Sequence, residues 1–310
     1  MGDVDWSMRG QRVLITGGSG FIGKHVLAQG ARLGAEMHAI ALPGKLASGA
    51  TTYSATLTDR TRVFEIVQQV RPAAVIHLAA AGVTSGTHAL DMLLHVNVTG
   101  TDNLLAALAA ASLRPRIILA GSGYEYGASA EPIPESAQLA PASPYGVSKA
   151  AAALCAGMYA GTLPMTLLRF FNAYGPGEPA QRLGPYIINC GVQGQIAEVT
   201  PCEQIRDFMY APDLAQLIWQ VLRHMPDAPG LGVYNVGSGQ PIVLKDFIGL
   251  LVAELRRRGL ETTLAYGARP YRAGEPMVYV ADTRRLVQDF GWKPATSLEA
   301  GVRQTVEAAL

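Results

Sequence analysis

Arg12-Val13-Leu14-Ile15-Thr16-Gly17-Gly18-Ser19-Gly20-Phe21-Ile22-Gly23 decides the fold. Arg12 to Thr16 reads as a short buried strand, and Phe21 to about Leu33 as a helix, with a glycine-rich turn between them. Glycines at 17, 20 and 23 permit a tight turn, close approach of the backbone to a pyrophosphate, and close packing of helix on strand. A phosphate placed there meets free N–H groups at the positive end of the helix. A glycine triplet alone is a weak signal. Set directly after the first buried strand, it marks a dinucleotide site with Gly17, Ser19, Gly20, Phe21, Ile22 and Gly23 as candidate contacts.

The rest of the first half keeps the same rhythm. Strands are predicted at Met37–Leu42, Ala73–Leu78, Arg116–Ala120 and Met165–Phe170, and helices at Arg60–Val70, Val96–Ser112 and Tyr145–Tyr159. Short apolar strands alternating with helices indicate an α/β fold, a doubly wound parallel sheet covered on both faces. After Phe171 the rhythm breaks and Gly and Pro become frequent, as in Gly175-Pro176-Gly177 and Gly184-Pro185. The expected division is a dinucleotide-binding domain at 8–171 and a smaller, mixed, mainly substrate-binding domain at 172–310. Some segments, about 206–236, return to the sheet.

The end of the second strand reads Ile40-Ala41-Leu42-Pro43-Gly44-Lys45. A carboxylate there would accept the ribose 2′-hydroxyl of NAD and repel a 2′-phosphate. None is present, so Ala41 and Lys45 favour NADP(H), with NAD(H) possible; Lys45 reads equally well as a solvated surface lysine.

Further along, Pro144-Tyr145-Gly146-Val147-Ser148-Lys149 places a phenol and an ammonium four residues apart, on one face of a predicted helix. A phenol titrates near 10, and a neighbouring ammonium favours the phenolate. Bringing it to about 7 takes roughly 4 kcal/mol at about 1.36 kcal/mol per unit. Such a tyrosine exchanges a proton with a carbonyl or alcohol.

The 310 residues, 49% hydrophobic and 16% charged, suffice for one large domain or two modest ones. A formal net charge of +1 gives no electrostatic case for nucleic acid or an anionic membrane as partner. Cys155, Cys190 and Cys202 lie far apart in no metal-ligand spacing, which suits a reducing compartment and predicts no metal site. An acidic start through Met1-Gly2-Asp3-Val4-Asp5 does not read as a signal peptide, and no segment is apolar enough to span a bilayer. The expectation is a cytoplasmic enzyme.

With these pieces assembled, the chain resembles the extended short-chain dehydrogenase/reductase family that acts on nucleotide sugars, from about Gln11 to Val306. The segments that carry the likeness are Gly17 to Gly23, His77-Leu78-Ala79-Ala80, Asn97 with Gly100, and Gly121-Ser122-Gly123-Tyr124-Glu125-Tyr126-Gly127. They continue with Tyr145 and Lys149, Arg169-Phe170-Phe171-Asn172-Ala173-Tyr174-Gly175-Pro176-Gly177, and Arg206-Asp207-Phe208. Tyr234-Asn235-Val236-Gly237-Ser238-Gly239 and Arg272-Ala273-Gly274-Glu275 complete the set. The resemblance implies a Rossmann sheet and makes Ser122, Tyr145 and Lys149 catalytic. Ser122 holds the reacting oxygen, Tyr145 moves its proton, and Lys149 grips the nicotinamide ribose and lowers the tyrosine pKa. It further implies cofactor contacts at Leu57, Leu78, Ala79, Ala80, Asn97, Phe170 and Asn172. Substrate contacts would come from Ser122, Tyr124, Asn172, Arg206 and Arg272, the arginines suiting a nucleotide diphosphate through their planar donor forks.

Three chemistries share that scaffold: 4-epimerisation, 4,6-dehydration and 4-keto reduction. Dehydratases carry an Asp-Glu pair directly after the serine position, where this chain has Gly123 and Tyr124. Glu125 is one place out of register and is expected to point elsewhere. A resident NAD suits an epimerase, and Ala41 argues against it. The expected activity is therefore NADPH-dependent reduction of the C4 ketone of a nucleotide-linked 4-keto-6-deoxy sugar. The alternatives are an NAD-dependent nucleotide-sugar 4-epimerase and a non-catalytic dinucleotide-binding protein. The corresponding helices form a dimer interface in the family, so alanine-rich stretches at 106–111 and 150–156 suggest a homodimer.

Overall fold

The computed structural model describes residues 7–82, 89–272 and 274–310. Met1 to Trp6 of the acidic start, and Ala273 of the last family-like segment, lie outside the described residues. The first half runs β1 (Arg12–Thr16), α1 (Phe21–Arg32), β2 (Glu36–Ala41), β3 (Thr51–Ser54), α2 (Arg60–Val70) and β4 (Ala74–His77). Then come α3 (Leu90–Leu94), a wide π-turn at His95–Thr99, α4 (Gly100–Ala110), β5 (Arg116–Ser122), α5 (Pro144–Gly157) and β6 (Pro164–Phe170). The second half runs β7 (Asn172–Tyr174), α6 (Leu183–Gln193), β8 (Ile196–Val199), β9 (Ile205–Arg206), β10 (Phe208–Tyr210), α7 (Ala211–His224) and β11 (Gly230–Val236). It ends with β12 (Ile242–Val243), α8 (Leu244–Arg257), β13 (Thr263–Tyr266), β14 (Val278–Tyr279), α9 (Arg284–Phe290) and α10 (Leu298–Glu307).

Seven strands form one parallel sheet in the order β11-β6-β5-β4-β1-β2-β3. Successive side chains of a strand point to opposite faces, and in this sheet both faces are covered. Val13, Ile15, Ile76 and Ile118 join Val26 and Leu27 of α1 with Leu214, Ile218 and Trp219 of α7 in one core. Trp292, near the C-terminus, is buried in the same core. Leu14, Val75, Ile117 and Leu119 face the other way, against Val63 and Ile66 of α2, Leu104 and Leu108 of α4, and Ala153 and Ala156 of α5. This is the α/β doubly wound architecture that the strand–helix rhythm predicts. Its strand order reverses between β1 and β4, and ligands of open α/β sheets bind in the crevice beyond such a reversal.

Two details differ from the sequence reading. β3 (TTYS) is an extra edge strand, half exposed and lacking the apolar run that marks a buried one. The helix expected from Val96 starts earlier, at Leu90, and widens at 95–99, a distortion frequent at functional sites.

Beyond the sheet, α6, α8 and α10 enclose a second core of Ile187, Ile188, Phe247, Leu251, Leu255, Val302 and Val306. Buried Asp207 ties this part to the sheet. Its carboxylate accepts Ser238 N–H and O–H at 2.6 Å, Gly239 N–H at 3.0 Å and Ala281 N–H at 3.2 Å. Among the described residues, no helix is long and apolar enough to cross a membrane.

Candidate active site

At the crevice the turn after β1 is built against backbone. Gly17 has φ +73°, and a Cβ there would lie 2.7 Å from Ala79 N and 2.9 Å from Ala79 Cα. A Cβ on Gly23 would meet the Gly17 carbonyl oxygen and sit 2.7 Å from Gly18 Cα. The glycines thus let α1 press on the turn and the turn press on the loop after β4. α1, whose N-cap is Gly20, has no side-chain cap and no acid in its first turn. Its leading N–H groups are left for a ligand, with Ser19 and Gly20 exposed and Phe21 and Ile22 partly so. These residues fit a dinucleotide pyrophosphate.

Behind the turn, Thr16 Oγ1 lies 2.7 Å from His77 Nδ1 and accepts Ala79 N–H at 3.2 Å, while His77 Nε2 reaches Thr101 Oγ1 at 3.0 Å. Burial pushes the His77 imidazole down to about 3, so it is neutral and locks the crevice wall. Asn97, buried on the π-turn, accepts Ala81 N–H at 2.7 Å and donates to Ala81 O at 3.1 Å and Ser148 Oγ at 2.9 Å. Its amide pins the loop carrying Leu78, Ala79 and Ala80 to α5. Buried Leu57 packs between sheet and helices, and Asn103 Nδ2 donates to its carbonyl at 2.9 Å. β2 ends at buried Ala41, and Leu42 to Leu46, Lys45 included, are exposed beyond it.

Ser122 is the last residue of β5, and Tyr145 lies in the first turn of α5. That helix forms because Ser143 caps it, accepting Gly146 N–H at 3.1 Å, with Pro144 at N1 and an alanine run behind. The Ser122 hydroxyl lies beside the Tyr145 phenol, close enough to favour its ionised form. One turn on, Lys149 is buried and its Nζ donates to Ala120 O at 2.5 Å. The structure therefore brings Ser122, Tyr145 and Lys149 together. It also corrects one expectation: Tyr145 is not lowered. Part of the residue stays exposed, but desolvation pushes its phenol up to about 12, against the effect of the Ser122 hydroxyl. Burial lowers the Lys149 ammonium, and the Glu125 charge opposes that.

A second correction concerns Glu125. It does not point elsewhere. Gly123–Glu125 form a single 3₁₀ turn, which brings Glu125 back beneath Ser122, fully buried. Oε1 accepts Ser122 N–H at 2.7 Å, and Oε2 accepts Arg169 Nε–H at 2.7 Å. The spacing Ser122-x-x-Glu125 is a capping-box pattern, the one signal in the sequence that foretells this return. Tyr279, far away in sequence, also enters the site without any local cue. Its ring stacks on Tyr124 at 4.9 Å and packs tilted against Phe171 at 4.7 Å, and its buried hydroxyl lies near Ser122 without full hydrogen-bond geometry. A side chain on Gly123 would collide with that hydroxyl and lie 2.9 Å from Tyr279 Cζ. While Tyr279 is there, no carboxylate fits at 123.

The remaining candidates divide. Tyr124, 40% exposed, faces Tyr145 edge-on at 6.4 Å and opens to solvent. Phe170 ends β6, and Asn172 Nδ2 donates to Asp207 O at 3.3 Å. Arg206 is buried, its Nη2 on Glu275 Oε1 at 2.9 Å and its Nη1 on Ile205 O at 3.0 Å. Arg272 is exposed. Arg182, just ahead of α6, was not singled out by sequence; its charge reaches Tyr145 while it pairs with Glu178 at 2.9 Å.

A parallel sheet with an uncapped glycine-turn helix and a serine–tyrosine–lysine group at its crevice defines a dinucleotide-dependent enzyme of the short-chain dehydrogenase/reductase type. The chain belongs to the NAD dependent epimerase/dehydratase family, whose pattern matches residues 13–237. It is 31% identical over 308 residues to GDP-6-deoxy-D-mannose reductase of Pseudomonas aeruginosa, covering 94% of this chain and 95% of that one. It is 26% identical over 337 residues to dTDP-glucose 4,6-dehydratase of Neisseria meningitidis serogroup B, covering 96% and 92%. A structure of UDP-glucose 4-epimerase from Thermus thermophilus in complex with NAD superposes with TM-score 0.85 at 25% identity, covering 96% of this chain and 98% of that one. The chain is thus an NAD(P)-dependent enzyme with relatives among epimerases, dehydratases and reductases.

Proposed function

We propose that this enzyme reduces the C4 ketone of a nucleotide-linked 4-keto-6-deoxy sugar with NADPH. The observation that carries the reading is the Ser122–Tyr145–Lys149 group with Gly123, packed against Tyr279, and Tyr124 in the two places after the serine where elimination would need carboxylates. Tyr145, protonated near neutral pH, is the proton donor. The dinucleotide, when bound, supplies hydride to the ketone carbon. Ser122 holds the carbonyl oxygen, and Tyr145 delivers its proton there as negative charge develops. Lys149, buried beside them, keeps a positive charge near that oxygen.

Two further features support the choice. From Ala41 to Thr58 there is no acidic residue to repel a 2′-phosphate, and exposed Lys45 stands beside the end of β2. Among the named relatives, the reductase of Pseudomonas aeruginosa matches at 31% identity. In the same reading 8–171 carries the dinucleotide and 172–310 most of the substrate. Arg272 is the exposed arginine for the diphosphate, and Arg206 reaches it only by sharing Glu275. Leu154 on α5 and Met158 just past its end, 68% and 72% exposed, offer a face for a homodimer, and the scattered free cysteines suit the cytoplasm.

Purification without substrate tests the assignment. The reductase arrives without stoichiometric cofactor and oxidises NADPH only when a 4-keto-6-deoxy sugar nucleotide is added. Copurification with stoichiometric NAD, and interconversion of C4 epimers without net oxidation, would replace it with the epimerase reading.

A further inference from the structure

Beneath the serine–tyrosine–lysine group lies an ion pair that the proton transfer described above does not use. Glu125 is 0% exposed and Arg169 6%. Each carboxylate oxygen is engaged, one by Ser122 N–H and one by Arg169 Nε–H, both at 2.7 Å. Arg169 Nη1 donates to Tyr126 Oη at 2.5 Å, and its guanidinium lies 4.6 Å over the Tyr126 ring. Tyr126 donates on to Asn235 Oδ1 at 2.9 Å. The chain of bonds crosses from β5 through β6 to β11, so the carboxylate is held from three strands.

A buried ion pair rarely adds stability over an apolar replacement, so its retention under a reactive group calls for another role. The placement supplies one. Glu125 fixes the backbone of Ser122, whose hydroxyl lies beside the Tyr145 phenol, and its negative field reaches both Tyr145 and Lys149. Tyr145 is otherwise faced by Tyr124 from the same turn and by Arg182 ahead of α6, with Tyr279 behind Ser122; Arg182 pulls the opposite way. Lys149 lies one turn along α5 with its ammonium on Ala120 O.

We propose that Glu125, with Arg169 as counter-ion, is a positioning residue that keeps Tyr145 protonated and Lys149 charged, and so sets the site to donate protons rather than take them. The proposal rests on the ketone-reduction reading for its consequence, though not for its test. Titration of Tyr145 needs no substrate: phenolate absorbance of the parent minus that of Tyr145→Phe isolates this one tyrosine. The parent is expected to show no Tyr145 signal up to pH of about 10. Glu125→Gln, which keeps an acceptor for Ser122 N–H and removes the charge, moves the signal towards acid by about half a unit or more.

Should that variant not fold, Glu125→Gln with Arg169→Met removes both charges, leaves no unpaired ion, and is expected to move the signal the same way. A Tyr145 signal in the parent at or below pH of about 10, or superimposable titrations of parent and a folded variant, overturns the proposal. The pH profile of NADPH-dependent reduction gives the functional arm. Its alkaline limb falls with loss of the phenol proton and moves to lower pH in the variant, with KM for NADPH unchanged. If titration shifts as expected but no ketone is reduced, the reaction assignment fails and the role of Glu125 stands; reduction with unshifted titration sinks Glu125 alone.

Discussion

Replacing Gly23 by alanine tests whether the glycine turn is a cofactor cradle held in shape by close packing. The new Cβ would sit 2.7 Å from Gly18 Cα and 2.8 Å from Gly18 C, and closer still to the Gly17 carbonyl oxygen. All three are backbone atoms, so no side chain can rotate aside. Restoring ordinary contact at 3.4 Å with Gly18 Cα alone moves the start of α1 from the turn by about 0.7 Å, and the closer Gly17 oxygen makes that a minimum. Overpacking of this kind costs about 1–3 kcal/mol. A chain of this length has an unfolding entropy of roughly 0.65 kcal/mol/K, so Tm falls by about 2–5 °C. The larger effect is on the ligand. The N–H groups at the start of α1 leave the pyrophosphate by a similar distance, and losing about 1.4 kcal/mol raises the Kd for NADPH tenfold. Gly20→Ala is the control. Its φ is −79°, and among the described residues the only neighbour near its Cβ is the Gly17 carbonyl oxygen at 3.1 Å, so its Tm stays closer to the parent. Calorimetric titration with NADPH beside thermal unfolding reads both quantities. A Gly23→Ala protein with parental Tm and parental affinity would refute the packing argument and the assignment of the cradle together.

Tyr145→Phe removes the proton donor and little volume; turnover is expected to fall by about 10²–10⁴-fold with NADPH affinity within about twofold, and retained activity would rule out the proposed chemistry. His77 is held neutral, with its pKa lowered by burial to about 3, so between about 6.5 and 3 the unfolded chain binds the extra proton. Stability is therefore lost as pH falls through about 6.5, by up to about 1.4 kcal/mol per unit relative to His77→Gln. Urea unfolding of both proteins at several pH values checks this, and parallel curves would contradict it. Asp207→Ala leaves the partly buried N–H groups of Ser238 and Gly239 and the buried N–H of Ala281 without their acceptor. The expected loss is about 3–5 kcal/mol in denaturant unfolding, and less than about 1 kcal/mol would show that these donors find other partners.

How far the sequence foretells this site follows the distance over which each feature is built. β1, the turn and α1 are contiguous, and their signals are local: an apolar run, glycine punctuation and helical composition. Tyr145 and Lys149 are equally local, because a helix turns four-residue spacing into a shared face. Asn97 was legible as a site residue but not as what it does, because its bonds to Ala81 and Ser148 depend on a π-turn that no residue pattern announces. The pKa of Tyr145 escaped the sequence for a related reason. Spacing puts an ammonium near the phenol, but desolvation depends on everything around it, including Tyr124 and the distant Tyr279. Arg206 shows the same limit, since the carboxylate that occupies it arrives from Glu275.

Glu125 is the instructive case between these extremes. Set against the Asp-Glu pair that dehydratases carry after the serine, it falls one place out of register. The chain does not continue as a strand there but closes a 3₁₀ turn, and three residues along such a turn is a return rather than a departure. The same turn sets Gly123 against Tyr279, so the two residues after the serine are placed by one local geometry. A carboxylate beside the serine would need both a side chain at 123 or 124 and a site without the stacked Tyr124–Tyr279 pair. Placing a carboxylate beside the serine therefore takes more than two substitutions in the turn, because the Tyr124–Tyr279 stack has to give way as well.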